Sequence, residues 1–145
     1  MKINKLIECN YIIIFFLMLA VFSFKSYAQV SVIVSKESQY ELTDSQVKNI
    51  FMGNMLSWPD GSKVVIVDQP ESASGKDFYS KFIEQSINKI RVKWTKLVLS
   101  GQASAPLKVD NDDEVKKNVA SNQNAIGYIS SSEVDDTVKE ILRIE

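Results

Sequence analysis

The stretch DQPESASGKDFY, residues 68–79, combines small and basic residues that can hold an anion. Ser72 and Ser74 carry hydroxyl groups, and Gly75-Lys76 follows them with an adaptable backbone and a positive charge. A strand, a short loop and a helix that starts near the serines would leave backbone N–H groups free, where the helix dipole adds partial positive charge. The stretch therefore predicts a site for a small oxyanion formed by Ser72, Ser74, Gly75 and Lys76.

Two other interpretations apply to the same residues. A nucleotide-binding P-loop requires a glycine five positions before its second glycine, and Ser or Thr directly after its lysine. Pro70 and Asp77 occupy those positions, so the stretch does not fit a nucleotide loop. Ser72 or Ser74 can also act only as an N-cap for the helix that follows. From these residues alone, an anion site and a simple helix cap both stay open.

The acidic run Asp110–Glu114 has the composition of a calcium loop but not its spacing. An EF-hand loop requires Gly at its sixth position and Glu at its twelfth. Counted from Asp110, those positions hold Val115 and Ser121. Acidic residues are also favoured in the first turn of a helix, where they interact with the helix dipole. We therefore predict a helix start here and no metal site.

No set of residues for catalysis stands out. The chain contains no histidine, which excludes Ser-His-Asp and Cys-His nucleophile pairs and removes the commonest ligand of transition metals. The carboxylates form no paired motif that singles out a general acid and a general base. The sequence therefore predicts a protein that is not an enzyme, with no catalytic residue and no cofactor.

Four apolar segments are predicted to be strands: Val30–Val34, Lys63–Asp68, Ala125–Ile129 and Val138–Ile144. They are short, rich in β-branched residues and separated by turn-forming residues. The segment KVVIVD at residues 63–68 is apolar on both faces, which is typical of a central strand in a parallel sheet. Strands that alternate with helices predict an α/β fold, with a mostly parallel sheet flanked by helices.

Helical signals mark the segments between these strands. Thr43 and Gln46 have the spacing of a capping box for a helix that stops at Gly53. Apolar residues three and four apart predict helices around Phe78–Ile83 and from Ile87 to Val98, with Trp94 packed in the core. The segment 102–107 is predicted to be a loop. The basic residues of these helices are interpreted as a solvated face: Lys81, Lys89, Arg91, Lys93 and Lys96.

Residues 1–28 have the layout of a secretory signal peptide. A basic start precedes the apolar run YIIIFFLMLAVFSF at residues 11–24, and Ser26-Tyr27-Ala28 places small residues at the two positions that a signal peptidase reads. The run is shorter than the roughly 20 residues that span a bilayer. We expect cleavage after Ala28, export of the chain and a single domain at residues 29–145.

The exported chain would be acidic and free of thiols. Removal of Lys2, Lys5, Lys25 and Glu8 with the leader changes the formal net charge from −1 to −3. An acidic balance argues against a nucleic-acid-binding protein, which is expected to be basic. Cys9, the one cysteine of the chain, also leaves with the leader. The domain must therefore be stabilised by packing without a disulfide.

Several motifs along residues 30–144 occur in an order that is typical of a known protein family. They are LTDSQVKNIFMGNMLSWPDGSKVVIVDQP, FYSKFI, KWTKLVLSGQASAP and NQNAIGYIS, and the strongest pieces are IFMG, WPDG and AIGY. In this order they resemble the phosphate-binding-protein family of ABC transporters, and within it the short members that consist of one lobe. The resemblance implies a single lobe of a type II periplasmic binding-protein fold and a location in the periplasm.

The resemblance also implies where phosphate is contacted, and the chain departs from that pattern. In the corresponding lobe of the family, an Arg, a Ser-Gly-Thr run and the following helix start contact the anion. The nearest match is Ser74-Gly75-Lys76 or Ser72-Ala73-Ser74, and residues 68–70 stand where the Arg is expected. The loss of the Arg removes a bidentate contact with phosphate. A carboxylate at Asp68 would repel an anion.

The leading hypothesis from the sequence is an exported, non-enzymatic module that binds phosphate or a similar oxyanion and is linked to phosphate uptake. Its partners are then the anion and a membrane transporter or envelope protein, and no nucleic acid. Because only one lobe is encoded, two copies facing each other could rebuild a closed cleft as a homodimer. The alternative is an interaction, accessory or sensor module of the cell envelope that keeps the fold and binds no ligand.

Overall fold

The structure, a computed structural model, describes residues 29–145. The predicted signal peptide at residues 1–28 and its cleavage position after Ala28 lie outside the described residues. Within residues 29–145, no helix has both the length and the apolar character needed to cross a membrane.

Five strands form one sheet in the order β3-β2-β4-β1-β5. Their bounds are β1 Val30–Ser35, β2 Val65–Asp68, β3 Leu107–Lys108, β4 Ala125–Ser130 and β5 Val138–Ile144. β2 pairs in parallel with β3 and β4, whereas β1 pairs antiparallel with β4 and β5. Four strands therefore run in one direction and only β1 opposes them. The predicted mostly parallel sheet is confirmed, and β2 lies between two parallel neighbours as its apolar pattern indicated.

Strand β3 forms where the sequence predicted the end of a loop. It has two residues, both exposed, and it pairs only with β2. A strand this short shows no alternation of apolar and polar residues, so periodicity does not reveal it.

Four α-helices connect the strands: α1 Asp44–Phe51, α2 Ala73–Asp77, α3 Ile87–Leu99 and α4 Asp112–Ala120. A π-helical turn at Phe78–Ile83 continues α2. The predicted capping box of α1 is present, because the Thr43 hydroxyl accepts the Gln46 N–H and the Gln46 side chain accepts the Thr43 N–H. The chain leaves α1 through Gly53, whose φ of 69° is in the left-handed region that favours glycine.

The two faces of the sheet carry separate apolar clusters. The larger one lies under α1, the π-helical turn and α3 and includes Trp94 and Tyr128. The smaller one lies under α4 and includes Val115 and Val119. Trp94 is 9% exposed and its indole N–H donates to the Phe51 carbonyl at 2.8 Å, so its predicted place in the core is confirmed.

Candidate functional site

The candidate loop, residues 68–72, begins at the carboxyl end of β2. Because β2 is parallel to β3 and β4, the ends of those strands at Lys108 and Ser130 lie at the same edge of the sheet. Helix α4 also begins here, and the carboxylate of Asp112 accepts the Ser130 N–H at 3.0 Å. In open α/β sheets, this edge is where ligands bind. The predicted position of the site therefore agrees with the topology.

Ser72 acts as the N-cap of α2. Its hydroxyl oxygen accepts the Gly75 N–H at 2.9 Å, and the same hydroxyl donates to the Gln69 carbonyl at 2.8 Å. The simple cap, one of the two interpretations left open by the sequence, is therefore present. The Ser72 hydroxyl proton is already donated to the Gln69 carbonyl, so this hydroxyl has no proton left to donate to an anion. The N–H groups of Ala73 and Ser74 have no acceptor within the helix.

Gly75 is required by packing against the candidate loop. A Cβ at this position would lie 2.2 Å from the Gln69 carbonyl oxygen and 2.8 Å from the Pro70 Cα, both backbone atoms. Because these atoms cannot yield as a flexible side chain would, any residue larger than glycine must push the loop away from α2. The glycine that resembles part of a phosphate motif thus sets how closely helix and loop approach.

The other two predicted residues lie on different sides of α2. Ser74 is buried and lines an opening beside the start of α4. Lys76 is exposed and lines a separate opening with Gly75 and Arg91. The structure therefore brings Ser72 and Ser74 together but places Lys76 on another surface.

Asp68, one of the residues standing where the family has Arg, is a buried carboxyl at the end of β2. It is 8% exposed, and its Oδ1 accepts hydrogen bonds from the Tyr128 hydroxyl at 2.6 Å and the Tyr79 hydroxyl at 3.1 Å. Burial raises the pKa of Asp68, and the two tyrosine hydrogen bonds act in the opposite direction. Burial, together with the Asp68 charge, also raises the pKa of both tyrosines. Asp68 thus anchors two tyrosines inside the fold.

Gln69 ties the candidate loop to α4. Its amide nitrogen donates to an Asp112 carboxylate oxygen and to the Tyr128 carbonyl. The residue is 1% exposed, and its Oε1 finds no donor among residues 29–145. The contact with Asp112 fixes the start of α4 relative to the loop.

Two cations outside the predicted anion-binding stretch, Arg91 of α3 and Lys108 of β3, lie beside the candidate loop. They line a pocket of about 190 Å³ that we call the basic opening, together with Ser72 and the carboxylates of Glu71 and Asp110. Arg91 also forms an ion pair with Glu71 of the loop. Helical spacing placed Arg91 on a solvated face, and residue spacing alone could not show that α3 packs beside a loop about twenty residues earlier in the chain.

A second opening, also lined by Ser72, is predominantly acidic. This acidic opening is lined by Gln69, Ser72 and Ser74 together with the carboxylates Asp110, Asp112, Asp113 and Glu133. No lysine or arginine of the described chain lines it. Like charges repel, so an anion is disfavoured at the α2 start itself, whereas the basic opening offers two cations beside its two carboxylates.

The acidic run serves as a helix start, as predicted. Asn111 is the N-cap of α4, and its side-chain oxygen accepts the Glu114 N–H at 2.9 Å. Asp112, Asp113 and Glu114 occupy the first turn, where the helix dipole favours negative charge. Across residues 29–145, no group of three or more acidic side chains is arranged to hold a metal ion.

Comparison with known proteins gives matches only among solved structures. No protein-family model and no curated protein matches the sequence. An ABC-type phosphate transport receptor from Vibrio cholerae matches with 22% identity and a TM-score of 0.62, over 79% of this chain and 46% of the receptor. A phosphate ABC transporter substrate-binding protein from Clostridium perfringens, solved with bound phosphate, matches with 25% identity and a TM-score of 0.61, over 79% and 45%.

A third match, PstS from Borrelia burgdorferi, has 15% identity and a TM-score of 0.60, over 79% of this chain and 47% of that protein. The chain therefore spans less than half the length of these solved proteins. The resemblance that the sequence motifs indicated is confirmed at the level of the fold: the five-stranded sheet and its helices have the architecture of one part of phosphate receptors.

Proposed function

We propose that this chain, which shares its fold with one part of ABC-type phosphate receptors, is an exported solute-binding module for phosphate or a similar oxyanion. It binds without catalysing a reaction and works in the periplasm as part of phosphate uptake. The leader at residues 1–28 directs export and is cleaved after Ala28. Support comes from the shared fold, from the carboxyl edge of the sheet as a ligand position, and from the charges of the basic opening.

The single observation that carries the proposal is the placement of Arg91 and Lys108. Both line the basic opening with Ser72, at the edge where the parallel strands β2 and β3 end. An arginine provides a planar set of donors suited to an oxyanion. Arg91 comes from α3 rather than from the candidate loop, so the proposed arginine contact does not depend on the motif itself. Ser74, Gly75 and Lys76 then have supporting roles around α2.

Two carboxylates at the basic opening give the site a preference among oxyanions. Glu71 and Asp110 line it beside the two cations. A carboxylate repels a fully ionised anion but accepts a hydrogen bond from one that keeps a proton. Phosphate keeps a proton near neutral pH and sulfate does not. We therefore expect phosphate to bind in preference to sulfate.

The test is thermal unfolding of the exported protein with phosphate, sulfate or chloride. A ligand that binds only the folded state at about ten times its Kd stabilises by about 1.4 kcal/mol, which raises the midpoint by roughly 6 °C. Arg91→Gln and Lys108→Gln should each reduce the phosphate-specific rise to less than half. Lys96→Gln removes the same charge from α3 outside the basic opening and should leave the rise unchanged.

A phosphate rise that survives both substitutions, or that sulfate reproduces in full, would contradict this assignment. A second candidate, an interaction or accessory module that binds no anion, is favoured by the acidic opening and by the use of the Ser72 hydroxyl in capping. An unchanged midpoint with phosphate, in a protein with a normal far-UV spectrum, is the outcome that would favour this second candidate.

A further inference from the structure

A second, larger cavity adjoins the basic opening. This apolar pocket has a volume of about 370 Å³ and lies between α3, the end of β2 and the segment before β3. Its wall is mainly apolar and includes Ile66, Ile90, Trp94, Val98 and Pro106. Cavities of about 150 Å³ hold a benzene ring, and pockets for small ligands start near 300 Å³. The apolar pocket therefore has room for a compact organic group.

The polar groups of this pocket are concentrated in a few residues. Asp68 and Tyr79 are buried and belong to its wall, and they are already hydrogen-bonded to each other. Arg91 is partly exposed and Lys108 is exposed, so these two cations stand at the pocket entrance. The same two cations line the basic opening. A single ligand can therefore contact both cations with a charged head while an apolar body enters the pocket.

We propose that the natural ligand is an organic phosphate monoester with a compact apolar group, whose phosphate lies at Arg91 and Lys108 and whose body fills the apolar pocket beneath α3. This inference rests on the proposed oxyanion-binding function and names its ligand class. Inorganic phosphate binds only at Arg91 and Lys108 and leaves the apolar pocket empty. Leu99, a pocket residue that is 83% exposed, is then an apolar side chain at the entrance that the ligand body contacts.

The first test compares three ligands by titration calorimetry with the exported, unmodified protein: inorganic phosphate, phenyl phosphate and phenol. Burial of one aromatic ring is worth at least about tenfold in affinity. We expect phenyl phosphate to bind at least tenfold more tightly than inorganic phosphate, and phenol to bind at least tenfold more weakly than phenyl phosphate.

A pair of valines on α3 supplies matched variants. Val98 lines the apolar pocket, whereas Val92 is 57% exposed and lines none of the cavities described above. Val98→Phe fills the pocket and should remove the tenfold advantage of phenyl phosphate while leaving the affinity for inorganic phosphate unchanged. Val92→Phe adds the same atoms outside the pocket and should change neither the affinity for phenyl phosphate nor that for inorganic phosphate. The ligand comparison on the unmodified protein decides the question if Val98→Phe does not fold.

Each other outcome has a distinct meaning. Equal affinities for phenyl phosphate and inorganic phosphate overturn this inference and leave the proposed function intact. No binding of either phosphate overturns both. Phenol binding as tightly as phenyl phosphate shows an apolar site without a phosphate head and overturns the inference. A dimer in light scattering that Val98→Phe converts to a monomer identifies a second copy as the occupant, which also overturns it.

Discussion

Asp68 occupies the end of a core strand as a carboxyl group removed from water. Isolated buried carboxylates are costly, and this one is stabilised by the hydroxyl groups of Tyr79 and Tyr128. The stacked contact between Phe78 and Tyr128 holds the second tyrosine in place. Asp68, one of three residues at the position where the resemblance implies an arginine, is thus part of the internal packing of the domain.

The pKa of Asp68 sets the sign of a pH effect on stability. Because burial raises its pKa in the folded state, the stabilising contribution of Asp68 is fully present below its unfolded pKa and is lost as the pH rises through the folded one. Asp68→Asn keeps an acceptor for both tyrosines and cannot ionise. We expect the unfolding midpoint of this variant, relative to the unmodified protein, to increase as the pH rises from about 3 to about 7.

Asp60 provides a control of opposite sign. It is exposed and accepts hydrogen bonds from Ser62 and Tyr40, and Ser62 is the main cause of its lowered pKa. Its contribution is present above the unfolded pKa and is lost as the pH falls through the folded one. The relative midpoint of Asp60→Asn should therefore fall as the pH rises. Parallel trends for the two variants would show that burial does not govern Asp68.

At the level of elements, α2 is a helix of five residues that depends on its neighbours. Helices this short are not stable alone. The Ser72 cap, the close approach of Gly75 to the candidate loop and the π-helical turn that buries Phe78 and Phe82 all act on it. The loop and α2 therefore form one closely packed unit.

Ser72→Ala separates the cap from the anion site. Loss of an N-cap costs about 1 kcal/mol, which lowers the midpoint by roughly 4 °C in a domain of this size. The rise caused by phosphate should stay the same, because Arg91 and Lys108 supply the charges of the basic opening. Thr43→Ala, which removes the cap of α1 far from the site, should lower the midpoint similarly. Loss of the phosphate rise in Ser72→Ala alone would make that hydroxyl a ligand.

The secondary-structure elements differ in how directly the sequence predicts them. The capping box of α1 and the apolar run of β2 are local patterns, so their side-chain types predict them directly. β3 and the role of Arg91 depend on contacts between distant segments, namely β3 with β2 and α3 with the candidate loop. The position of the site follows from strand order, but its charges come from residues that only the packed fold brings together.

At the scale of the whole molecule, the basic opening faces solvent on one side. The chain covers less than half of the receptors that it matches. An anion on an open surface stays hydrated, which weakens each contact. A second wall supplied by another copy or by a partner protein would exclude that water.

Light scattering of residues 29–145 tests whether a second copy supplies this wall. We expect phosphate to increase the dimer fraction, since an anion that contacts the cations of two copies at once stabilises the pair by mass action. Sulfate should have a smaller effect, and Arg91→Gln should abolish the change. A monomer mass that is the same with and without phosphate would contradict the homodimer, and a second wall would then have to come from a different protein.

The position of β1 within the sheet has a consequence for the order of assembly. Val30–Ser35 is an inner strand, and its partners in β4 and β5 lie 92 to 114 residues later in the chain. Such distant pairings slow folding, because a long loop must close before any contact is gained. During synthesis, β1 emerges first. Its backbone N–H and C=O groups stay unpaired until β4 and β5 have been synthesised. The sheet therefore cannot be completed around its inner strand until the last strand of the chain is available.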